Sequence, residues 1–285
     1  MTPDQRNALE SILGASVTQT EALGRGTSGS GTVLTRLRLS DGRDLVAKRA
    51  EGAFSGLTLE AFMLETLAGH GFPVPGVHHA EERLLVMDHV PAEGRLDGAA
   101  QEDAADKVAA LHGVTAERFG LNRDTVIGPL RQPNPQMEDW RAFFAEHRLM
   151  HMARHAREEG RIDAALLHDV ETLCGRLDRL IPGGSTPTLI HGDLWGGNVL
   201  VDGKGHCGFI DPAIYYADPE IDLAYSTLFG TFGERFFARY SEHRPLAPDF
   251  GERRDLYNLY PLLFHVRLFG GSYVQSVRST LRRYL

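Results

Sequence analysis

The sequence predicts a two-lobed α+β protein, with a small sheet-rich lobe over residues 1–90 and a larger, mostly helical lobe over 91–285. Three observations predict it. Up to about residue 90, short apolar runs alternate with turn residues, as half-buried strands do. Beyond Asp97, apolar positions recur near helical spacing between Gly, Pro and Asn breaks. The stretch from Leu189 to Ile210 interrupts that pattern with strand and turn signals, and it carries the densest set of reactive side chains.

Composition limits what such a chain does. Its 285 residues are 42% hydrophobic and 24% charged, enough for two apolar cores and unlike a disordered tail. A net charge of -8 repels nucleic acid in general, although a local basic cleft can still hold a nucleotide. No run reaches the length of a membrane span, and the start, MTPDQRNALE, lacks the apolar stretch of a secretion signal; the expected location is cytoplasmic. Cys174 and Cys207, in a helical and a strand context, make no disulfide framework and read as buried thiols.

Taken in order, the first element is the loop Leu23–Gly31, whose Gly26, Ser28, Gly29 and Ser30 form a candidate phosphate cradle. Glycines let a backbone approach phosphate, and free N–H groups with small hydroxyls donate to it. Gly and Ser equally fill ordinary solvent loops, and no Gly-Lys-Ser or Gly-Lys-Thr closes this one as in P-loop ATPases. A strand over 33–39 and the Asp41-Gly42 turn lead to a second strand, Leu45–Lys48. A helix over 57–67 then carries Glu60, a carboxylate able to hold the Lys48 ammonium against α- and β-phosphates. Glu65 lies at a different angle on that helix, and the packing of Leu59, Met63 and Leu67 decides which one faces the cleft. Leu84–Met87 reads as a strand that lines an adenine pocket, with backbone groups of Asp88, His89 and Val90 facing the base where the texture changes, near 88–94; Met87 serves equally well as core filling.

Helices are expected over 102–115, 137–158, 163–180 and from Ile221 onward. Between the last two sit His191-Gly192-Asp193-Leu194-Trp195-Gly196-Gly197-Asn198 and, thirteen residues after that Asn, Asp211. Strands at 199–201 and 206–210 around Asp202-Gly203-Lys204-Gly205 form a hairpin that returns Asp211 toward the first loop. Asp193 then takes or orients the proton of an attacking hydroxyl, while Asn198 and Asp211 offer hard oxygen donors that suit Mg²⁺ carrying ATP phosphates. His191 belongs to no His-Glu-x-x-His motif or zinc spacing, so a role in organising the loop is expected of it. Trp195, Tyr215 and Tyr216 could line an acceptor pocket, packing against a sugar, or fill the core.

These residues carry a resemblance. The segment 191–198 resembles the catalytic loop of the fructosamine kinase (ketosamine-3-kinase) family, within the protein-kinase-like fold of aminoglycoside and choline phosphotransferases. Ile210-Asp211-Pro212 through Tyr215-Tyr216 resembles its metal-binding segment, and Glu220–Ala224 with Leu228-Phe229-Gly230 the helix after it. Phe54-Ser55-Gly56 with Glu60, Asn122–Gly128 and Asp139–Leu149 are similar to further family segments, so the likeness covers nearly the whole chain. The resemblance implies a nucleotide-binding lobe at 1–90 and a catalytic, acceptor-binding lobe at 91–285. It implies Lys48 and Glu60 as the nucleotide-side ion pair, Asp193 as the catalytic carboxylate, Asn198 and Asp211 as metal ligands, and Asp222 as a brace. It also implies ATP and Mg²⁺ as cofactors and a ketosamine, free or on a protein, as acceptor, phosphorylated at its sugar 3-hydroxyl in support of deglycation. A kinase for an aminoglycoside, choline-like amine or homoserine is the enzymatic alternative, and a noncatalytic nucleotide-binding protein the third class. The Gly24–Gly31 loop departs from the cysteine-containing loop of several family members, which puts thiol-based redox control there in doubt.

Overall fold

Strand alternation builds the first unit. The computed structural model describes residues 2–25, 31–51 and 56–285, and its chain packs as two units, Met1–Ala100 with Gly197–Pro212, and Gln101–Gly196 with Ala213–Leu285. The candidate loop residues Gly26, Ser28, Gly29 and Ser30 lie outside the described residues, as do Phe54 and Ser55.

In the first unit, β1 (Val17–Arg25), β2 (Thr32–Leu39), β3 (Asp44–Ala50), β4 (Val77–Glu81) and β5 (Leu84–Asp88) form an antiparallel sheet in the order β1-β2-β3-β5-β4. Successive side chains point to opposite faces. Leu45 and Ala47 of β3 therefore pack with Leu9 and Leu13 of α1 (Pro3–Leu13), while Val46 packs with Leu57, Ala61 and Leu64 of α2 (Leu57–Gly69) on the other face. Helix α1 was not expected from the sequence. Its signals are there in retrospect: Thr2 and Gln5 form a reciprocal capping box, Pro3 opens the first turn, and Gly14 ends the helix at φ 67°.

The first unit also takes in a hairpin from late in the chain. Val199–Val201 pairs with Cys207–Phe209 in the register Val201 to Cys207 and Val199 to Phe209, as the turn chemistry indicated. Asp202 Oδ1 accepts the amides of Lys204 and His206, each at 2.8 Å, and closes the turn. The division by packing thus differs from a cut at residue 90. Phe209 donates its amide to Pro73 O (2.8 Å), its ring lies 4.5 Å from Phe72, and Gly94 donates to Val201 O (2.8 Å). Sequence order hides these contacts because they join positions more than a hundred residues apart.

The second unit is helical. Its core gathers Trp140, Phe143, Phe144, Leu166, Val170, Tyr257 and Leu263 among others. The helix expected over 137–158 runs Trp140–Phe144, widens to a π-helical stretch at Ala145–Met150 and resumes at His151–Glu158. The widened turn carries Arg148, which is fully buried and donates to Pro133 O (2.8 Å) and Asn134 Oδ1 (2.6 Å). Single π turns inside α-helices are frequent at functional sites. Among the described residues, no helix is long and apolar enough to cross a membrane. Neither Cys174 nor Cys207 is in a disulfide, and burial pushes the Cys174 thiol up to about 12.

Trp140 is 3% exposed, stacks on Phe143 and Phe144, and donates Nε1–H to Tyr257 at 3.0 Å. Trp140→Ala is expected to cost about 3–5 kcal/mol of unfolding free energy, measured by denaturant titration.

Candidate active site

In the first unit, Lys48 occupies the β3 face that looks to α2 because it is two residues from Val46. Its Nζ lies 2.8 Å from Glu60 and 2.7 Å from Asp211 Oδ1. Glu60 is buried and sits one turn from Leu57 and Leu64 on the packed side of α2, while Glu65 is exposed. The packing therefore selects Glu60. Asp211 has φ 51°, the one positive value at a non-glycine among the described residues. It is carried there by the hairpin, since Ile210 donates to Asn198 O (3.1 Å) and Asn198 Nδ2 lies 3.5 Å from Asp211 O.

One buried ammonium serves two carboxylates here, and the three charges sum to minus one. Burial opposes the Lys48 charge, but Asp211 and Glu60 outweigh it and hold the ammonium above its ordinary pKa. For Glu60, burial comes first, and the neighbouring Asp211 charge adds to it; together they exceed the pull of Lys48 and raise the carboxyl to about 7. Pairing alone would raise the lysine and lower the carboxyl; Glu60 is raised because one cation is shared between the buried Glu60 and the part-exposed Asp211, so Glu60 is held poorly.

Other residues expected at the nucleotide side have settled roles within the sheet. Met87 is buried in the cluster with Val46, Leu57 and Leu85, which is core filling. Asp88 binds the Gly76 amide (3.0 Å) and His78 (2.7 Å) through its carboxylate. The amides of Asp88 and His89 are already donated to Gly76 O (2.9 Å) and Asp44 O (3.0 Å). Neither N–H is therefore open to an adenine base, and Val90 packs its side chain against Gly208.

In the second unit, Asp193 is 5% exposed and lies on a loop pinned by Asp222. The Asp222 carboxylate accepts the amides of His191 (2.7 Å) and Gly192 (2.9 Å). His191 Nδ1 accepts the Asp193 amide at 3.3 Å, the organising role expected of it, and Ala213 donates to His191 O at 2.8 Å. Gly192 turns at φ 83°, and a Cβ there would meet Ala213 O at 2.0 Å, so glycine is required. Behind Asp222 stands His112, fully buried, 3.4 Å from the carboxylate through Nε2 and 2.8 Å from Tyr240 OH through Nδ1.

Sequence reasoning missed His112, Tyr240, Tyr225 and Arg148. For His112 a signal existed: it continues the apolar stripe of Ala104, Ala105, Val108 and Ala109 at helical spacing. Tyr225 lies with its hydroxyl against the Asp193 carboxylate, and burial followed by that negative charge holds its pKa well above the ordinary phenol value. Trp195 is half-buried with its ring 5.9 Å from Phe229. Tyr215 contradicts the expectation of an acceptor contact. It is 1% exposed, and the Arg148 guanidinium covers its ring at 3.7 Å, leaving no open face. Tyr216 is half-buried and pairs with Leu189 in a short two-stranded ladder.

The Fructosamine kinase family model matches residues 13–285. The chain belongs to the fructosamine kinase family. Within that family, a probable ketoamine kinase of Synechocystis is 40% identical over 181 residues, 62% of this chain and 60% of the relative. The chloroplastic protein-ribulosamine 3-kinase of Arabidopsis thaliana is 34% identical over 220 residues, 74% of this chain and 66% of the relative. Both aligned stretches cover less than two thirds of these relatives' own lengths. A solved structure from Thermobifida fusca, assigned as a fructosamine-3-kinase, has a TM-score of 0.89 at 34% identity and covers 99% of this chain and 100% of that one. The fold is thus the two-lobed, protein-kinase-like one expected from the sequence.

The Glu60 shift has a consequence for stability. Because its folded pKa is raised, its contribution is fully present below the unfolded value near 4.5 and is lost as pH rises through about 7. In nucleotide-free protein, the stability of wild type relative to Glu60→Gln is expected to fall between those pH values, measured by denaturant unfolding at each pH.

Proposed function

We propose that this chain is an ATP-dependent kinase that phosphorylates the sugar 3-hydroxyl of a ketosamine, free or protein-bound, and so supports deglycation. The observation that carries the reading, beside family membership, is the buried Lys48 ammonium shared by Glu60 and Asp211 in a chain whose Asp193 sits on a loop fixed by Asp222. A binding protein without chemistry has no use for both.

Lys48 would contact the nucleotide phosphates, with Glu60 holding its flexible stem. Asp193 would accept the hydrogen bond of the acceptor hydroxyl and take its proton as the oxygen attacks the γ-phosphorus. The bond from that phosphorus to the β,γ-bridging oxygen breaks, and its electrons leave with ADP. The fixed loop matters because such transfer depends on position and on electrostatics more than on covalent chemistry. Asp193→Asn keeps the shape and removes the base. It is expected to lower kcat by about 10²–10⁴-fold while leaving the ATP dissociation constant within a few-fold of wild type, read by steady-state kinetics and calorimetry. Unchanged turnover in the folded variant would exclude the role.

Asp211 and Asn198 present a carboxylate and a carboxamide with neither sulfur nor imidazole, a donor set that fits Mg²⁺, which keeps waters and takes phosphate oxygens beside one or two protein ligands. The contact of buried Asn198 Nδ2 with Asp211 O orients that carboxamide for such a role. These two residues would hold the ion, and its chemistry there would be to offset charge on the phosphates. Chelation by EDTA is expected to abolish turnover, with recovery on adding Mg²⁺. Asp211→Ala is expected to remove the Mg²⁺ dependence of nucleotide affinity, seen by calorimetry with and without the metal.

ATP consumption across fructosamines, ribulosamines, aminoglycosides and amino alcohols decides the acceptor. Turnover confined to the last two groups would overturn the ketosamine reading.

A further inference from the structure

Among the described residues, five large apolar side chains are exposed, and only two of them are aromatic: Phe229 at 44% and Phe269 at 51%. They lie forty residues apart in sequence, yet both rings contact the same imidazole, that of His265, at 5.4 and 5.7 Å. Tyr273 stacks on His265 at 4.8 Å and touches Phe269 at 6.0 Å. Local backbone produces the gathering. Phe229 ends the helix Glu220–Leu228, and Phe269 ends the helix Leu259–Phe269, after which Gly270 and Gly271, at φ 64° and 58°, turn the chain so that Tyr273 returns over His265.

This surface is continuous with the catalytic loop. Phe229 contacts Trp195 at 5.9 Å and Tyr225 at 6.3 Å, and Tyr225 places its hydroxyl against Asp193. Exposure rises outward along the series, from Tyr225 at 4% to Phe229 and Phe269. His265 donates Nδ1–H to Pro261 O (2.6 Å), and burial holds its pKa below the ordinary value, which favours the neutral ring at the centre. A neutral ring surrounded by phenyl and phenol faces attracts a cation instead of repelling it.

We propose that Phe229, Phe269 and Tyr273, assembled around His265, receive the protonated amine of the acceptor and the alkyl group it carries. The proposal rests on the ketosamine reading above and deepens it. A ketosamine bears its amine on C1, two carbons from the 3-hydroxyl that Asp193 must meet. With that hydroxyl at Asp193, the nearby nitrogen faces Phe229, the ring in contact with Trp195 and Tyr225, and its substituent runs on toward Phe269 and Tyr273. The open far end leaves room for a large substituent, such as the lysine stem of a glycated peptide. Selectivity for an alkylammonium thus comes from ring faces, and an acidic side chain is not needed.

The test uses the intact protein and an N-alkyl fructosamine at saturating ATP. Both phenylalanines are exposed, so their replacement should leave folding intact, checked by thermal melting. Phe229→Leu and Phe269→Leu keep apolar area but remove the ring, and each is expected to raise KM for the ketosamine roughly 3- to 30-fold, with kcat and KM for ATP unchanged. Phe229→Tyr and Phe269→Tyr keep the ring and should restore KM to near the wild-type value. If the Leu variants match wild type, or the Tyr variants are as weak as the Leu ones, the proposal is overturned while the ketosamine reading stands. If wild type itself phosphorylates no ketosamine, both fall, and that result is recognised before any variant is compared.

Discussion

The carboxylate of Asp222 is the constraint on which the loop that carries Asp193 depends. It is 1% exposed and accepts two backbone amides, from His191 and Gly192, thirty residues earlier in the chain. A buried carboxylate is costly unless its oxygens are satisfied, and charge-assisted bonds to amides are among the stronger ways to do so. In return, the loop has one conformation. Gly192 must turn at positive φ so that both amides point inward, and that turn carries Asp193 outward beside Tyr225. His112, held between Asp222 and Tyr240, limits the freedom of the carboxylate from behind.

The first unit solves a different electrostatic problem. Its sheet puts a single buried ammonium between the buried Glu60 and the part-exposed Asp211, and the arrangement carries an excess negative charge. Such a cluster is not an efficient way to stabilise a fold, because desolvating three charges costs more than their pairing returns when the charges do not balance. It suits the roles proposed above, in which Lys48 meets the nucleotide phosphates and Asp211 a cation. The strained backbone of Asp211 fits that reading, since an unfavourable φ persists only where the surrounding structure enforces it.

Much of this was legible in the residues. Lys48, Glu60, Asp193, Asn198 and Asp211 all stand out by type and spacing, and the hairpin that joins the last two was readable from Asp202-Gly203-Lys204-Gly205. Helix α1 was overlooked although Thr2, Pro3 and Gln5 spell its capping box. Tyr215 and Met87 were left open between ligand contact and core filling, and both are packed, because aromatic and methionine side chains serve core and ligand sites alike. The mid-helix π turn at Ala145–Met150 was not read from the apolar spacing, and the Arg148 it carries bonds to Pro133 O and Asn134 Oδ1, partners that spacing does not reveal.

By itself, the sequence determined the class of fold, the hairpin between the central loops and the family resemblance, because these rest on local periodicity, turn chemistry and short spacings. Tertiary structure alone decided that the hairpin belongs with the N-terminal sheet, that Glu60 and not Glu65 meets Lys48, and that Phe229 and Phe269 share one histidine. Each of those outcomes depends on which faces pack across long separations in the chain. Side-chain direction is fixed only when a partner surface arrives, and no local pattern records that arrival.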